Sequence, residues 1–515
     1  MSDKNTDEID SRFVFIAVLL ALMIIYHRFG HAIVSVALKY RYTLAFILIA
    51  LVLMGGQALL DKWTIHQRKR QQQREVLGIS KTEESLCVGV SDKGQKVHVK
   101  PSQRKMHVQV VGTTNAGKTE SVILPFAIDD VACGRGLVII DGKSDKSLIG
   151  KLYGYAKKYN REKDIRILSI CNPKISSSYN PFFGGSVVEI TERVFSALNF
   201  ENEYYKSIQY DALLHVLLVM EKSGLAPTPS RVVDYLKSPK YLAEAVNRIS
   251  DVKLKNWCKH YMSLSKDELE QRTSGLVSQL QSFIFGETGE LFNQDISEIN
   301  IEEAMEKNLI IYCQLPALKI PLLGTATAKM LLQGVQSAVS SRHLGSIKNQ
   351  KFFSVFLDDF TEYLTPSFVT LLNKSRSANV SIVFAHQALG DLSALGDGVK
   401  NTILTNSNLK VFMRTNEPES AEYFSSVIGT IEGQKSTERE TRTIFGKMKT
   451  GDASVREAES FKFHPNIFKQ NLGVGEAVMV VPHAAGSEPV RVKFTKLDDL
   501  PEVQIPEHQR YKAAA

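Results

Sequence analysis

Apolar residues change their rhythm along this chain. From Phe13 to Tyr26, and again from Tyr42 to Leu60, they run almost unbroken, and the second run carries no charge. At the rise of an α-helix the second run is long enough to cross the hydrocarbon core of a bilayer, and the first becomes so once its flanks are counted. The pattern predicts a transmembrane hairpin, with helices at about 13–30 and 41–60. Basic residues crowd the exit of the second run (Lys62, Arg68, Lys69, Arg70, Arg74) more than the turn between the runs (Arg28, Lys39, Arg41). That bias puts both termini in the cytoplasm. An acidic leader and the absence of a small-residue cleavage pattern argue against a signal peptide.

Beyond residue 75 the apolar stretches shorten. Leu86 to Val90 and Gln95 to Val99 flank Asp92-Lys93-Gly94 as a hairpin. Met106 to Val111 reads as a strand, as do Leu137–Ile140, Ile165–Ile170, Leu309–Cys313, Phe352–Leu357, Val380–Ala385, Leu409–Met413 and Ala477–Val481. Short β-branched runs without alternation are what a parallel sheet covered on both faces requires. Between roughly 186 and 300 the period becomes helical. Ser265-Lys266-Asp267-Glu268 is a capping box ahead of Leu269, Leu276, Leu280 and Phe283 on one face, Ser238-Pro239 is a further helix start, and Ile208 to Met220 is a helix ending near Gly224. The chain therefore divides into a membrane anchor with basic linker (1–75), a first part of an α/β nucleotide-binding domain (76–185), an all-α insertion (186–300) and the second part of the α/β domain (301–515).

Composition changes this picture little. With 43% hydrophobic and 23% charged residues the chain is an ordinary globular one apart from its N-terminus. Five scattered cysteines, without a paired spacing or adjacent histidines, indicate neither a disulfide framework nor a zinc site. A formal net charge of +8 permits a nucleic-acid or membrane partner without demonstrating one. Lys400, Lys410, Arg414, Lys435, Arg439 and Arg442 alternate with acids and read as a solvated mixed-charge surface.

The strongest chemical signal is Gly112-Thr113-Thr114-Asn115-Ala116-Gly117-Lys118-Thr119, followed by Glu120 at the start of a helix extending to Ile128. Glycines let the backbone curl so that N–H groups face phosphate oxygens, Lys118 reaches the β and γ phosphates, and the Thr119 hydroxyl holds Mg²⁺. Such a loop needs a carboxylate at the end of a neighbouring strand. Asp358, closing Phe352 to Leu357, is the metal-side candidate and Asp359 the candidate for polarising water; Asp141, closing Leu137 to Ile140, is a rival. Gln387 ends another strand, where it is a candidate sensor of the γ-phosphate or the water. The adjacent His386 reads as a hydrogen-bonding residue. Arg376 is a candidate arginine finger towards a neighbouring subunit. Lys143, in Asp141-Gly142-Lys143, either approaches phosphate or sits in a turn.

The two-span N-terminus, the phosphate loop, the helical insertion and the late Asp358-Asp359-Phe360 and Ala385-His386-Gln387 strand ends together resemble the type IV secretion coupling proteins, the membrane-anchored ATPases of bacterial conjugation. Leu137 to Lys143, Asn172-Pro173, Asn180-Pro181, and Phe461 to Val481 with Pro465 and Gly475-Glu476-Ala477 are similar too. The resemblance implies a RecA-like motor using ATP and Mg²⁺ and assembling as a homo-hexamer at the bacterial inner membrane. It implies sequence-independent binding of DNA, recruitment of the relaxase-bound substrate and delivery to the secretion channel. The family usually has Asp-Glu where this chain has Asp358-Asp359, which leaves Glu362 as another candidate for orienting water. The competing reading is a docking platform for protein substrates that uses nucleotide mainly for assembly.

Overall fold

The computed structural model describes residues 85–508 except 145, 444, 445, 485 and 502, together with a few helical positions before residue 64. Two compact units, Met1–Gln73 and Arg74–Ala515, divide the chain. The predicted spans at 13–30 and 41–60 lie outside the described residues save for isolated helical positions. Among the described residues no helix is long and apolar enough to cross a membrane.

An eleven-stranded mixed sheet organises the second unit. Its strands, in chain order, are β1 (Leu86–Ser91), β2 (Lys96–Val99), β3 (Val108–Val111), β4 (Gly136–Asp141), β5 (Ile165–Ser169), β6 (Ile310–Gln314), β7 (Phe353–Asp358), β8 (Val380–His386), β9 (Leu409–Phe412), β12 (Glu476–His483) and β13 (Gly486–Phe494). Two further strands, β10 (Thr430–Thr443) and β11 (Gly446–Phe461), form a separate antiparallel ribbon. The order across the sheet is β2-β1-β13-β12-β9-β3-β8-β7-β4-β6-β5. From β9 to β5 all neighbours are parallel, and from β9 back to β2 all are antiparallel. Every residue of β3, β4, β6, β7, β8 and β9 is buried. Helices cover both faces, which is why these strands read as unbroken apolar runs.

Alternate residues of each strand feed different cores. Val138, Ile140, Ile311, Val355, Leu357 and Ile382 pack with the helices Val187–Ala197, Pro321–His343 and Ser367–Ser375. Leu137, Ile139, Ile310, Phe356 and Val383 pack on the other face with Leu124–Ala132 and Lys146–Lys158. Between β5 and β6 the chain makes six helices of eight residues or more, from Val187–Ala197 to Lys266–Gln281. Three of their starts follow from sequence: Ser186 and Ser265 each close a capping box with a glutamate, and Asn202 accepts from Tyr204 and Tyr205. Ser238 occupies an N-cap position without a side-chain cap, and Pro239 fills the first helical turn. Entry and exit of this helical segment are tied together: Ser178 N donates to Glu298 Oε2 (2.7 Å), and Asn180 Nδ2 donates to Gln294 O (2.9 Å).

Candidate functional site

Parallel strands align their C-terminal ends, so the loops after β3, β4, β7 and β8 meet along one edge of the sheet. The loop after β3 is 112–119. Asn115 (φ 63°) and Gly117 (φ 97°) are both left-handed, which turns the backbone back on itself before the helix. A Cβ on Gly112 would lie 2.7 Å from Met413 Cβ, so this glycine is enforced by close packing. Neighbours brace the curl: Gly112 N donates to His386 O (3.2 Å), Thr113 N to Arg414 O (2.8 Å) and Gly475 N to Ala116 O (3.0 Å). Gly475 belongs to the closing pattern of the chain and reaches the loop only through the antiparallel half of the sheet. The segment after the loop opens with a π-helical turn, Thr119–Ile123, before the α-helix Leu124–Ala132.

Lys118 is buried, its Nζ donating to Gly112 O (2.7 Å) and Thr113 O (3.4 Å), carbonyls of its own loop. Burial lowers its pKa, and the nearby charge of Lys143 adds to that effect. Thr119 Oγ1 donates to Asp358 Oδ2 (2.7 Å) at the end of β7. Asp358 is 1% exposed, its Oδ1 has no hydrogen-bond partner, and burial pushes its pKa up to about 6, against the opposing bond from Thr119. A buried carboxylate oxygen left open beside a threonine hydroxyl is the donor set a hard divalent cation takes, completed by phosphate and water. The residues present fit Mg²⁺.

The rival carboxylate is otherwise engaged. Asp141 Oδ2 accepts from Tyr312 Oη (2.6 Å), and Oδ1 accepts from the backbone of Lys143 (2.9 Å) and Ser144 (3.0 Å). It builds its own turn. That turn lies beside the acidic pair because β4 and β7 are neighbours with Asp141 opposite Asp358. Lys143 Nζ accordingly meets Asp359 Oδ2 at 2.8 Å. Asp359 is left-handed (φ 48°) and keeps a buried Oδ1 without a partner. Glu362 is exposed on the short helix after it.

Gln387 Oε1 accepts from Thr114 Oγ1 (3.2 Å), and Asp391 Oδ2 accepts from the Gln387 and Ala388 backbone N–H groups at 3.0 Å. His386 is buried between Gln109 Nε2 (3.0 Å) and Ala388 O (2.7 Å), the hydrogen-bonding role its sequence position indicates. Glu120 turns away from the loop to pair with Lys151 (2.7 Å). Arg376 is not brought to this edge. It is exposed at the end of the helix Ser367–Ser375, ahead of β8, so it lies at the opposite edge of the sheet. Lys410 corrects the reading of a solvated surface: it is buried, with Nζ bonded to Gln109 Oε1 (3.1 Å) and Leu404 O (2.7 Å). Lys400 is also largely enclosed, its side chain 12% exposed, and pairs with the exposed Glu419 (3.0 Å). The Lys143–Asp359 pair and the Gln109–His386 contact escaped sequence reasoning, since both depend on which strands are neighbours.

Residues 353–461 match the family model described as the TraM recognition site of TraD and TraG. The chain is 22% identical over 398 residues to the type 4 coupling protein DotL of Legionella pneumophila, a match covering 65% of this chain and 51% of that protein. It thus spans about half the length of this curated relative. In fold it is similar to the plasmid coupling protein TrwB, in structures with ADP and Mg²⁺ and with a non-hydrolysable GTP analogue, at TM-score 0.58 and 15% and 16% identity, covering 83–84% of this chain and 93–94% of TrwB. VirB4 of Thermoanaerobacter pseudethanolicus shares the architecture at TM-score 0.50 and 13% identity, over 81% of this chain and 98% of that one.

Proposed function

We propose that this chain, like the type IV secretion coupling proteins it resembles, is an inner-membrane ATPase that couples relaxase-bound DNA, and protein substrates, to a type IV secretion channel. The observation that carries the ATPase part is the Thr119–Asp358 contact at the mouth of a curled phosphate loop. Backbone N–H groups of Asn115, Gly117 and Lys118, with Lys118 Nζ, bind the phosphates, and Lys118 exchanges its carbonyl partners for phosphate oxygens. Thr119 and Asp358 would hold Mg²⁺, whose positive charge would offset the negative charge that develops on the phosphates. Asp359 and Gln387 orient the attacking water, Gln387 from the strand between the phosphate loop and the acidic pair. Arg376, remote from its own loop, acts across a subunit boundary in a homo-hexamer.

Binding of DNA without sequence preference, contact with a TraM-like relaxosome protein through 353–461, and anchoring by spans at 13–30 and 41–60 complete the reading. Domains at 76–185, 186–300 and 301–515 form its parts. The test is ATP turnover of the purified chain in detergent across a salt series, with and without DNA. Lys118→Ala should abolish turnover and DNA should stimulate the wild type, more weakly as salt rises. Secretion of protein substrates that survives Lys118→Ala with Asp358→Ala would instead favour the docking platform.

A further inference from the structure

Two lysines and two carboxylates converge where β3, β4 and β7 end. Lys118 comes from the phosphate loop, Lys143 from the turn after β4, and Asp358 and Asp359 from the end of β7. Lys143 is near enough to Lys118 and to Asp358 to act on the charge of both. Its side chain is 42% exposed, so the amine is free to move, whereas its backbone is fixed by the bond from its N–H to Asp141 Oδ1. Three buried oxygens here have no hydrogen-bond partner: Asp358 Oδ1, Asp359 Oδ1 and Ser144 Oγ. Ser144 is itself held left-handed (φ 64°). Such orphaned groups next to a strained backbone indicate a site arranged for something further to bind.

We propose that Lys143 is a γ-phosphate-contacting residue that doubles as a latch on Asp359. Without nucleotide its ammonium group neutralises Asp359 and withholds that carboxylate from water. A third phosphate brings a stronger anion to the same edge, Lys143 moves onto it, and Asp359 is released to accept a hydrogen bond from the attacking water. A diphosphate does not reach the amine, and the latch stays closed. Hydrolysis is thereby tied to the triphosphate state through one ion pair. The inference rests on the nucleotide reading of the site.

Binding of fluorescent ATP and ADP analogues to the full chain with Mg²⁺ tests it apart from turnover. Lys143→Ala should weaken ATP binding by about ten- to hundredfold, the loss of one hydrogen bond to a charged group, with ADP within about twofold of wild type. Lys143→Arg should retain the preference for triphosphate. Asp359→Ala, which frees the amine and removes an anion, should tighten ATP binding and leave ADP unchanged. An unaltered ATP-to-ADP ratio in Lys143→Ala overturns the proposal, as does equal weakening of both, which would mark a purely structural turn. Should wild-type chain bind neither nucleotide, the functional reading fails together with the latch; should it bind both and Lys143→Ala match it, the latch alone fails.

Discussion

Lys410 has lost its water without gaining a carboxylate partner among the described residues; its hydrogen bonds go to Gln109 Oε1, Leu404 O and Ser407 Oγ. Burial lowers its pKa to about 7. An unfolded lysine keeps its proton to about pH 10, so between pH 7 and 10 the unfolded state binds more protons, and stability rises with pH over that window. On the order of 4 kcal/mol is at stake, at about 1.4 kcal/mol per unit. Urea denaturation at pH 7 and pH 9.5 should show the wild type gaining stability, and Lys410→Met should flatten that gain. At this scale the meeting of the 112–119 loop with Asp358 was legible, because the residue types and spacing of both segments carry it locally. Lys410 was misread, because a lysine flanked by polar residues looks solvated until β3 and the end of the helix Asp397–Asn406 are known to enclose it. Sequence pattern favoured Asp358 for the metal side but kept Asp141, which also closes an apolar strand, as a rival. Tyr312 decides between them, and it comes from β6, a strand that neither sequence segment mentions.

Arg104 is a fully buried cation that ties several elements together. Arg104 ends the short helix Pro101–Arg104 and donates to both oxygens of Asp130 (3.0 and 2.6 Å) on the helix Leu124–Ala132 and to Ser354 Oγ (3.0 Å) on β7. The rings of Phe126 and Phe352 lie 4.8 and 5.1 Å from its guanidinium carbon. Arg135 also pairs with Asp130 (3.2 Å), so Arg104→Leu leaves the carboxylate one of its two cations and should cost about 3 kcal/mol, the lower end for breaking a buried pair. Thermal melting should show the double variant Arg104→Leu, Asp130→Leu losing less than the single one. Strand positions were legible to within a residue or two wherever helices cover both faces, from β4 through β9. β13 was missed because its edge-like alternation is interrupted by Pro489. The β10–β11 ribbon was missed because its sequence is polar on both sides and has no apolar stripe to read. The helix expected at Glu120 begins instead as a π-helical turn, Thr119–Ile123.

For the whole molecule, the distance between Arg376 and its own phosphate loop makes subunit contact the issue. Lys118→Ala and Arg376→Ala chains, each inactive alone, should recover part of the ATPase activity when mixed, because each supplies what the neighbour lacks. A mixture as inactive as its components would place Arg376 outside the reaction. The closing segment has a stabilising part to play as well. Leu497, Leu500, Val503 and Ile505 pack on the core beside β5, the last strand of the sheet, and the backbone N–H of His508 donates to Lys174 O (2.7 Å). Removing residues 497–515 should lower the melting temperature and promote association through the uncovered strand.

The order of the sheet also constrains how the chain is made. β3 lies between β9 and β8, β4 between β6 and β7, and β5 pairs only with β6, so none of the parallel strands synthesised before the helical segment has a partner that precedes it. A ribosome that has released residues up to 300 has therefore released three largely apolar strands and no parallel pairing for any of them. The nascent half of the sheet must wait, its apolar strands unpaired, until β6 to β9 arrive and close the sheet.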